Sequence, residues 1–292
     1  MTNSTNSSSN TASSKGSSRL LLIRGSGPDP LPETLYRAGF AAAGIDTACE
    51  SRELDIGQLG AEIARIRTDP TVMGVAVMMP LTIAVSRLLD GLGPEAQAVK
   101  AVNTVSNRGG ALIGWNTDRA AFLLALDDAG YQPKGKAALV LGAGGAARAV
   151  ADGLRTVAST IWVASRELDD ARALCHDLDI RSGGPAPLGS LAMVVRKVDL
   201  IVNATPVGTD GVARPFPIEW IAPTQFVFDL VYHPPLTPLV RGARERGARA
   251  VNGLRMLLNQ GLAAFEIWTG QPAPEPAMRA ALERAVVGRV VP

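Results

Sequence analysis

At 292 residues, 47% hydrophobic and with 30 glycines, the chain carries enough apolar mass for two α/β domains and has no fibrous or low-complexity signature over most of its length. Twenty-nine basic residues against 27 acidic ones leave a formal charge of +2 without a basic block, so nucleic-acid or membrane-surface binding has no support. Two cysteines and two histidines allow neither a disulfide framework nor a Cys/His metal cluster; a reducing cytoplasm is the expected home and no metal is expected.

Residues 1–18 (MTNSTNSSSNTASSKGSS) are a polar Ser/Asn/Thr tract without an apolar h-region and read as a disordered tail. LLLIR (20–24) predicts a first strand, ETLYRAGFAAAGI (33–45) a helix stopped at Gly44, and DTACES (46–51) a second strand. GQLGAEIARIRTD (57–69) predicts a helix and 72–79 a buried strand that runs into Pro80. AVSRLLDGL (84–92) and PEAQAVKA (94–101) predict helices, followed by extended AVNTV (101–105) and ALIGW (111–115). DRAAFLLALDDAG (118–130) predicts a helix with a Gly130 stop, and GYQPKGK breaks the pattern.

From Lys136 a second alternation begins: strand AALVLG, helix GGAARAVADGL, strand TIWVAS, helix ELDDARALCHDL, then strands DLIVNAT (199–205) and FVFDLVY (226–232). LRMLLNQGLAAFEIWTG (254–270) and PAMRAALERAVV (276–287) predict two closing helices, free to pack back on the first half. The fold class is therefore α/β in two domains. The first half is an α/β substrate domain, 19–117 completed by 254–292. Residues 118–253 form a Rossmann-type, doubly wound dinucleotide domain, with a cleft between the two.

The strongest chemical signal is LVLGAGGAARAV (139–150). Gly142, Gly144 and Ala147 give G-x-G-x-x-A between an apolar strand and a helix start, where free N–H groups suit a pyrophosphate. About 23 residues on, the next strand ends in Ser165 and Arg166 where an NAD enzyme carries an acid. Arg166 can pair with a 2′-phosphate, which favours NADP. Glu167, Asp169 and Asp170 close behind leave NAD open.

Three polar groups stand in apolar surroundings: Asn103 in AVNT, Asp118 in WNTD and Gln260 in NQGLAAFE. Singly, each has a plain structural reading. Asn103 can satisfy loop backbone, Thr117 or Asp118 can cap a helix, and Gln260 can sit on a solvated face.

The ordered string AVNT, NTD, GAGGAARA, NATPVG, DLVYHPPLTPL and GLRMLLNQGLAAFEIWTG resembles the shikimate dehydrogenases over essentially the whole chain after the tail. That resemblance implies an NADP-dependent oxidoreductase that interconverts a cyclic hydroxy acid and its ketone, in the shikimate pathway of aromatic amino-acid biosynthesis. Carried over by motif, it implies that Asp118 is catalytic and that Asn103, Gln260, Tyr232 and Thr82 face substrate. Gly142, Ala143, Gly144, Gly145, Ala146, Ser165, Arg166, Thr205, Pro206 and Gly253 would then line the cofactor.

Two departures accompany it. The family's Asn-Val-Thr-x-Pro-x-Lys reads here Ala76-Val77-Met78-Met79-Pro80-Leu81-Thr82, so Thr82 stands where the lysine partner of the catalytic aspartate is expected. The Ser-x-Ser segment that holds the substrate carboxylate falls in the Asp29–Pro32 stretch, and the following His and Asn are Tyr36 and Arg37. Asp29 and Glu33 would repel a carboxylate unless Arg24 or Arg37 compensates, and Lys100 is the candidate to replace the lysine. The expectation is an oxidoreductase with an altered substrate or low shikimate activity; the alternative is a non-catalytic cofactor or metabolite sensor on the same fold. A small molecule is the expected partner, and a homodimer is compatible with the sequence although no interface motif marks one.

Overall fold

The computed structural model describes residues 18–27 and 29–287. The proposed tail lies outside the described residues except for Ser18, which already belongs to the first strand. In chain order the first half comprises β1 (Ser18–Arg24), α1 (Leu31–Ala42), β2 (Thr47–Glu53), α2 (Ile56–Thr68), β3 (Val72–Val77), α3 (Thr82–Val85), β4 (Gly91–Leu92), α4 (Pro94–Val99), β5 (Thr104–Arg108) and β6 (Ala111–Trp115). Its six strands form one sheet in the order β2-β1-β3-β5-β6-β4, with β5 antiparallel to both neighbours. A buried run such as Leu20 to Ile23 or Val75 to Val77 suits a strand covered on both faces.

The second half comprises α5 (Asp118–Asp128), β7 (Ala137–Leu141), α6 (Gly145–Arg155), β8 (Thr160–Ala164), α7 (Leu168–Asp177), β9 (Gly183–Pro185), α8 (Leu191–Val195), β10 (Leu200–Asn203), β11 (Phe226–Asp229), α9 (Pro238–Glu245) and β12 (Arg249–Val251). Its sheet is parallel throughout, in the order β12-β11-β10-β7-β8-β9. Strand order reverses between β7 and β10, so the loops leaving these two strands open a crevice where a dinucleotide sits in doubly wound folds.

Two long helices, α10 (Leu254–Thr269) and α11 (Glu275–Val287), return to the first sheet. Trp268 donates from Nε1 to the Val105 carbonyl at 2.9 Å and covers Gly74, where a Cβ would approach its ring to 2.4 Å. Tyr36 of α1 meets the same indole edge-on, with ring centroids 5.0 Å apart. The other face of α10 lies along α5, to which Thr117 Oγ1 and Asn259 Nδ2 tie it through backbone carbonyls.

One expected helix is not formed. AVSRLLDGL leaves helical geometry after Val85 and ends in β4. Asp90 is the reason: its Oδ2 accepts from the Leu112 amide at 2.7 Å and pairs with Arg67, which pins the segment to the sheet edge. Among the described residues, no helix is long and apolar enough to cross a membrane.

Candidate active site

The glycine turn after β7 has the shape a pyrophosphate needs. Gly142 adopts φ +108°, and a Cβ there would lie 2.9 Å from the Ala204 carbonyl oxygen, so only glycine fits. Gly144 precedes the first turn of α6, with no side chain capping the helix, and a Cβ there would meet nothing within 4 Å. Among the described residues the first amides of α6 have no acceptor, as an anion site requires. Gly145 is close-packed instead: a Cβ would reach Thr82 Oγ1 at 2.4 Å and the Ala101 Cβ at 3.1 Å.

Across the switch point, buried Asn203 organises the NATPVG loop. Its Nδ2 donates to the Val207 carbonyl and Asp229 Oδ1, while its Oδ1 accepts from the Thr205 amide and hydroxyl. Asp229 in turn accepts from Thr237 Oγ1 at 2.6 Å and from the Val231 amide. Burial raises its carboxyl above the ordinary range, against the pull of these donors. The sequence gives no sign that Asn203, Asp229 and Thr237 form one network, yet it sets the loops that carry Thr205, Pro206 and Tyr232. Gly253 is fixed by packing: a Cβ would fall 2.0 Å from the Leu230 carbonyl oxygen. Half-buried Ser165 and exposed Arg166 follow β8 at the edge of the crevice; Asp169 is engaged with Arg172.

Asp118 is the first residue of α5 and is 7% exposed. Asn103 Nδ2 donates to its Oδ1 at 2.7 Å and to Thr117 Oγ1 at 2.9 Å. Asn103 Oδ1 accepts from the Thr117 amide and the Thr104 hydroxyl, so both ends of the amide are committed to holding the Asp118 turn. Neither Thr117 nor Asp118 caps the helix with its side chain; the Asp118 amide is taken by Asn116 Oδ1. Burial pushes the Asp118 carboxyl up to about 6, with the Asn103 donation working the other way. Among the described residues, Asp118 Oδ2 has no hydrogen-bond partner, and neither does the Gln260 side chain on facing α10.

The remaining wall is phenolic and acidic. The Tyr232 hydroxyl donates to Asp29 Oδ2 across the domains. Burial raises the Tyr232 phenol far above its ordinary value, followed by Asp29, Tyr36 and Asp118; burial and then the Asp118 charge raise Tyr36 as well. Asp118 and Tyr36 thus lie close enough to the Tyr232–Asp29 pair to be felt there. The pairing of Asp29 with Tyr232 spans 203 residues and has no sequence signature.

The expected compensating cations are elsewhere. Lys100 pairs with Asp177 of α7 at 2.7 Å, so it is no substitute for the missing lysine. Arg24 pairs with Glu53 through Nη2 and donates to the Gly27 carbonyl from Nη1, while its buried Nε has no partner among the described residues. Arg37 pairs with Glu33 and donates to the Cys49 carbonyl. Thr82 is buried, its hydroxyl pressed on Gly145 and its carbonyl accepting from the Val102 amide at 2.9 Å.

Comparison with known proteins decides the family. The profile of the shikimate dehydrogenase substrate binding domain matches residues 32–105, and that of the shikimate 5'-dehydrogenase C-terminal domain matches 253–283. The shikimate dehydrogenase (NADP(+)) of Moorella thermoacetica is 39% identical over 265 residues, spanning 88% of this chain and 89% of the relative. This chain belongs to the shikimate dehydrogenase family. Among solved structures, the shikimate 5-dehydrogenase of Thermus thermophilus in complex with NADP(H) and shikimate superposes with a TM-score of 0.81 at 36% identity, covering 92% of this chain and 99% of that one. The ligand-free 5-ketofructose reductase of Gluconobacter sp. strain CHM43 superposes with a TM-score of 0.77 at 28% identity, covering 93% and 99%. The family's two-domain fold is thus present.

Proposed function

We propose that the cleft between the two domains oxidises a secondary alcohol to its ketone, and reduces it in reverse, with Asp118 as the proton acceptor. The chain is an NADP-dependent dehydrogenase of the shikimate dehydrogenase type, and its cofactor lies across the switch point on the Gly142–Ala146 turn. Bound there, the cofactor supplies the hydride acceptor. Gly144 leaves room for the pyrophosphate, the α6 amides neutralise it, and Arg166 is placed for the 2′-phosphate. Asp118 Oδ2 takes the hydroxyl proton while Asn103 holds Oδ1, and Gln260 offers an amide to a neighbouring hydroxyl. A base is most effective when its pKa lies near the working pH, and burial brings Asp118 to about 6.

The observation that carries this reading is a buried carboxylate with one oxygen fixed and one free, in a chain whose glycine turn leaves the α6 start without a side-chain cap. The lysine that would stabilise the developing alkoxide is replaced by Thr82, so turnover of shikimate itself is expected to be slow. The absence of a cation beside Asp118 among the described residues also favours a second reading, a sensor that binds cofactor without turnover. NADPH absorbance with shikimate and quinate separates them. Turnover that falls by roughly 10²–10⁴ in Asp118→Asn establishes the dehydrogenase. NADPH binding without turnover of either compound, or of their uncharged analogues, favours the sensor.

A further inference from the structure

The wall of the cleft has the wrong charge for a carboxylate. Asp29 and Asp118 face it, joined by the phenols of Tyr36 and Tyr232, and these groups sense one another electrostatically. The guanidinium groups at this corner each already face an acid, Arg24 Glu53 and Arg37 Glu33, so that only the buried Nε of Arg24 is left without a partner among the described residues. At this corner two arginines meet Asp29, Glu33 and Glu53, one acid in excess, and Asp118 adds another that no cation faces among the described residues. A substrate carboxylate placed here would be desolvated beside two like charges without a counter-ion, a cost that hydrogen bonds from Tyr36 and Gln260 do not offset.

The polar atoms suit a different guest. Asp29 Oδ1, which already takes the Leu31 amide at 3.3 Å and keeps a second lone pair, Asp118 Oδ2 and the Gln260 carbonyl can accept hydrogen bonds, and the Gln260 amide can donate. Several hydroxyl groups on one small skeleton would satisfy this set without bringing charge into it. Resting on the dehydrogenase reading above, we propose that the substrate of this cleft is an uncharged polyhydroxy alcohol or ketone, and that Asp29, held by Tyr232, excludes carboxylates and binds a substrate hydroxyl in their place. An ammonium group fits less well, because it would pair with Asp118 and quench the base that the reaction needs.

The test compares shikimate with its own carboxamide and its methyl ester, which keep the ring and hydroxyls and remove only the charge. With the full-length protein and saturating NADP⁺, kcat/KM for the two neutral compounds should exceed that for shikimate by at least about tenfold, as expected for a like charge at contact distance in a half-buried cleft. Asp29→Asn keeps the side-chain shape and the acceptor for Tyr232. It should shrink that preference about tenfold by raising kcat/KM for shikimate, with NADPH affinity unchanged as the check on folding. Shikimate turning over as well as its carboxamide in the native protein overturns the inference and leaves the dehydrogenase intact. A preference that survives Asp29→Asn overturns the role of Asp29. NADPH bound at ordinary affinity with no turnover of any of the three overturns the dehydrogenase reading, and the substrate class with it.

Discussion

At pH 8 the Asp118 carboxyl is ionised although nothing but an amide and a helix start compensates it. A carboxyl whose folded pKa is raised contributes stability below its unfolded pKa and loses that contribution as pH rises through the folded value. Here the rise is from 3.8 to about 6, which corresponds to a cost on the order of 3 kcal/mol above pH 6. Asp118→Asn keeps the acceptor for Asn103 and removes the charge, so it should unfold at higher denaturant than the native protein at pH 8 and at equal denaturant near pH 4. Equal midpoints at both pH values would show that the site carries no such cost. The same titration shapes the kinetics. With Asp118 as base, kcat/KM for alcohol oxidation should climb tenfold per pH unit up to about 6 and level off above it, while ketone reduction follows the opposite course. A residue that the family motif marks as catalytic is thus legible here as a chemical liability. Asp29 and Tyr232 were not legible in that way, because their contact depends on how two domains meet.

The glycine turn shows how far local sequence reaches. LVLGAGG between an apolar run and GAARAV announces β7, the turn and α6 in order, and the structure has them at those residues. What the pattern cannot show is which glycine is bound by sterics and which by function. Gly142 needs its positive φ and its clearance from Ala204; Gly144 needs neither, since its φ is −73° and its surroundings are open. Gly144→Asp therefore separates the two. Asp is a good helix cap, so the melting temperature should hold or rise, while a carboxylate in the pyrophosphate position should weaken NADPH binding by about 100-fold or more in a fluorescence titration. Unchanged NADPH affinity would move the cofactor off this helix. The elements that the sequence conceals are short. β9 and β12 have three residues each and α8 five, too few to display a period; the two strands form because β8 and β11 supply their hydrogen bonds, and α8 is held by burial of Leu191, Val194 and Val195. In α9, Gly242 interrupts the helical pattern, yet a Cβ there would meet Ile218 at 2.7 Å, so packing dictates the residue.

The two domains meet along a seam beside the cofactor turn, and one buried side chain stitches it. Arg148 of α6, 6% exposed, donates from Nε to the Val99 carbonyl at 2.6 Å and pairs with Asp177, which also holds Lys100. Val99, Ala101 and Ala149 form a small apolar cluster at the same place, and Thr82 closes on Gly145 next to it. The segment 99–103 thus runs from this stitch directly into Asn103, which holds Asp118. Domain geometry at the seam and the position of the base are consequently mechanically continuous. Arg148→Met fills a similar volume but leaves the Val99 carbonyl without its donor, which should cost about 1–3 kcal/mol in urea unfolding. Amides of Ala101 and Val102 should exchange faster, since their partners Ala96 and Thr82 belong to the loosened segment. Arg148→Lys should not restore either property, because one ammonium cannot reproduce the fork that reaches Val99 and Asp177 together. Activity should fall through kcat more than through NADPH affinity, because the glycine turn itself stays intact while the Asn103–Asp118 pair loses its anchor. If stability drops without faster exchange at Ala101 and Val102, Arg148 is a packing residue only, and the base is positioned from α5 and α10 alone.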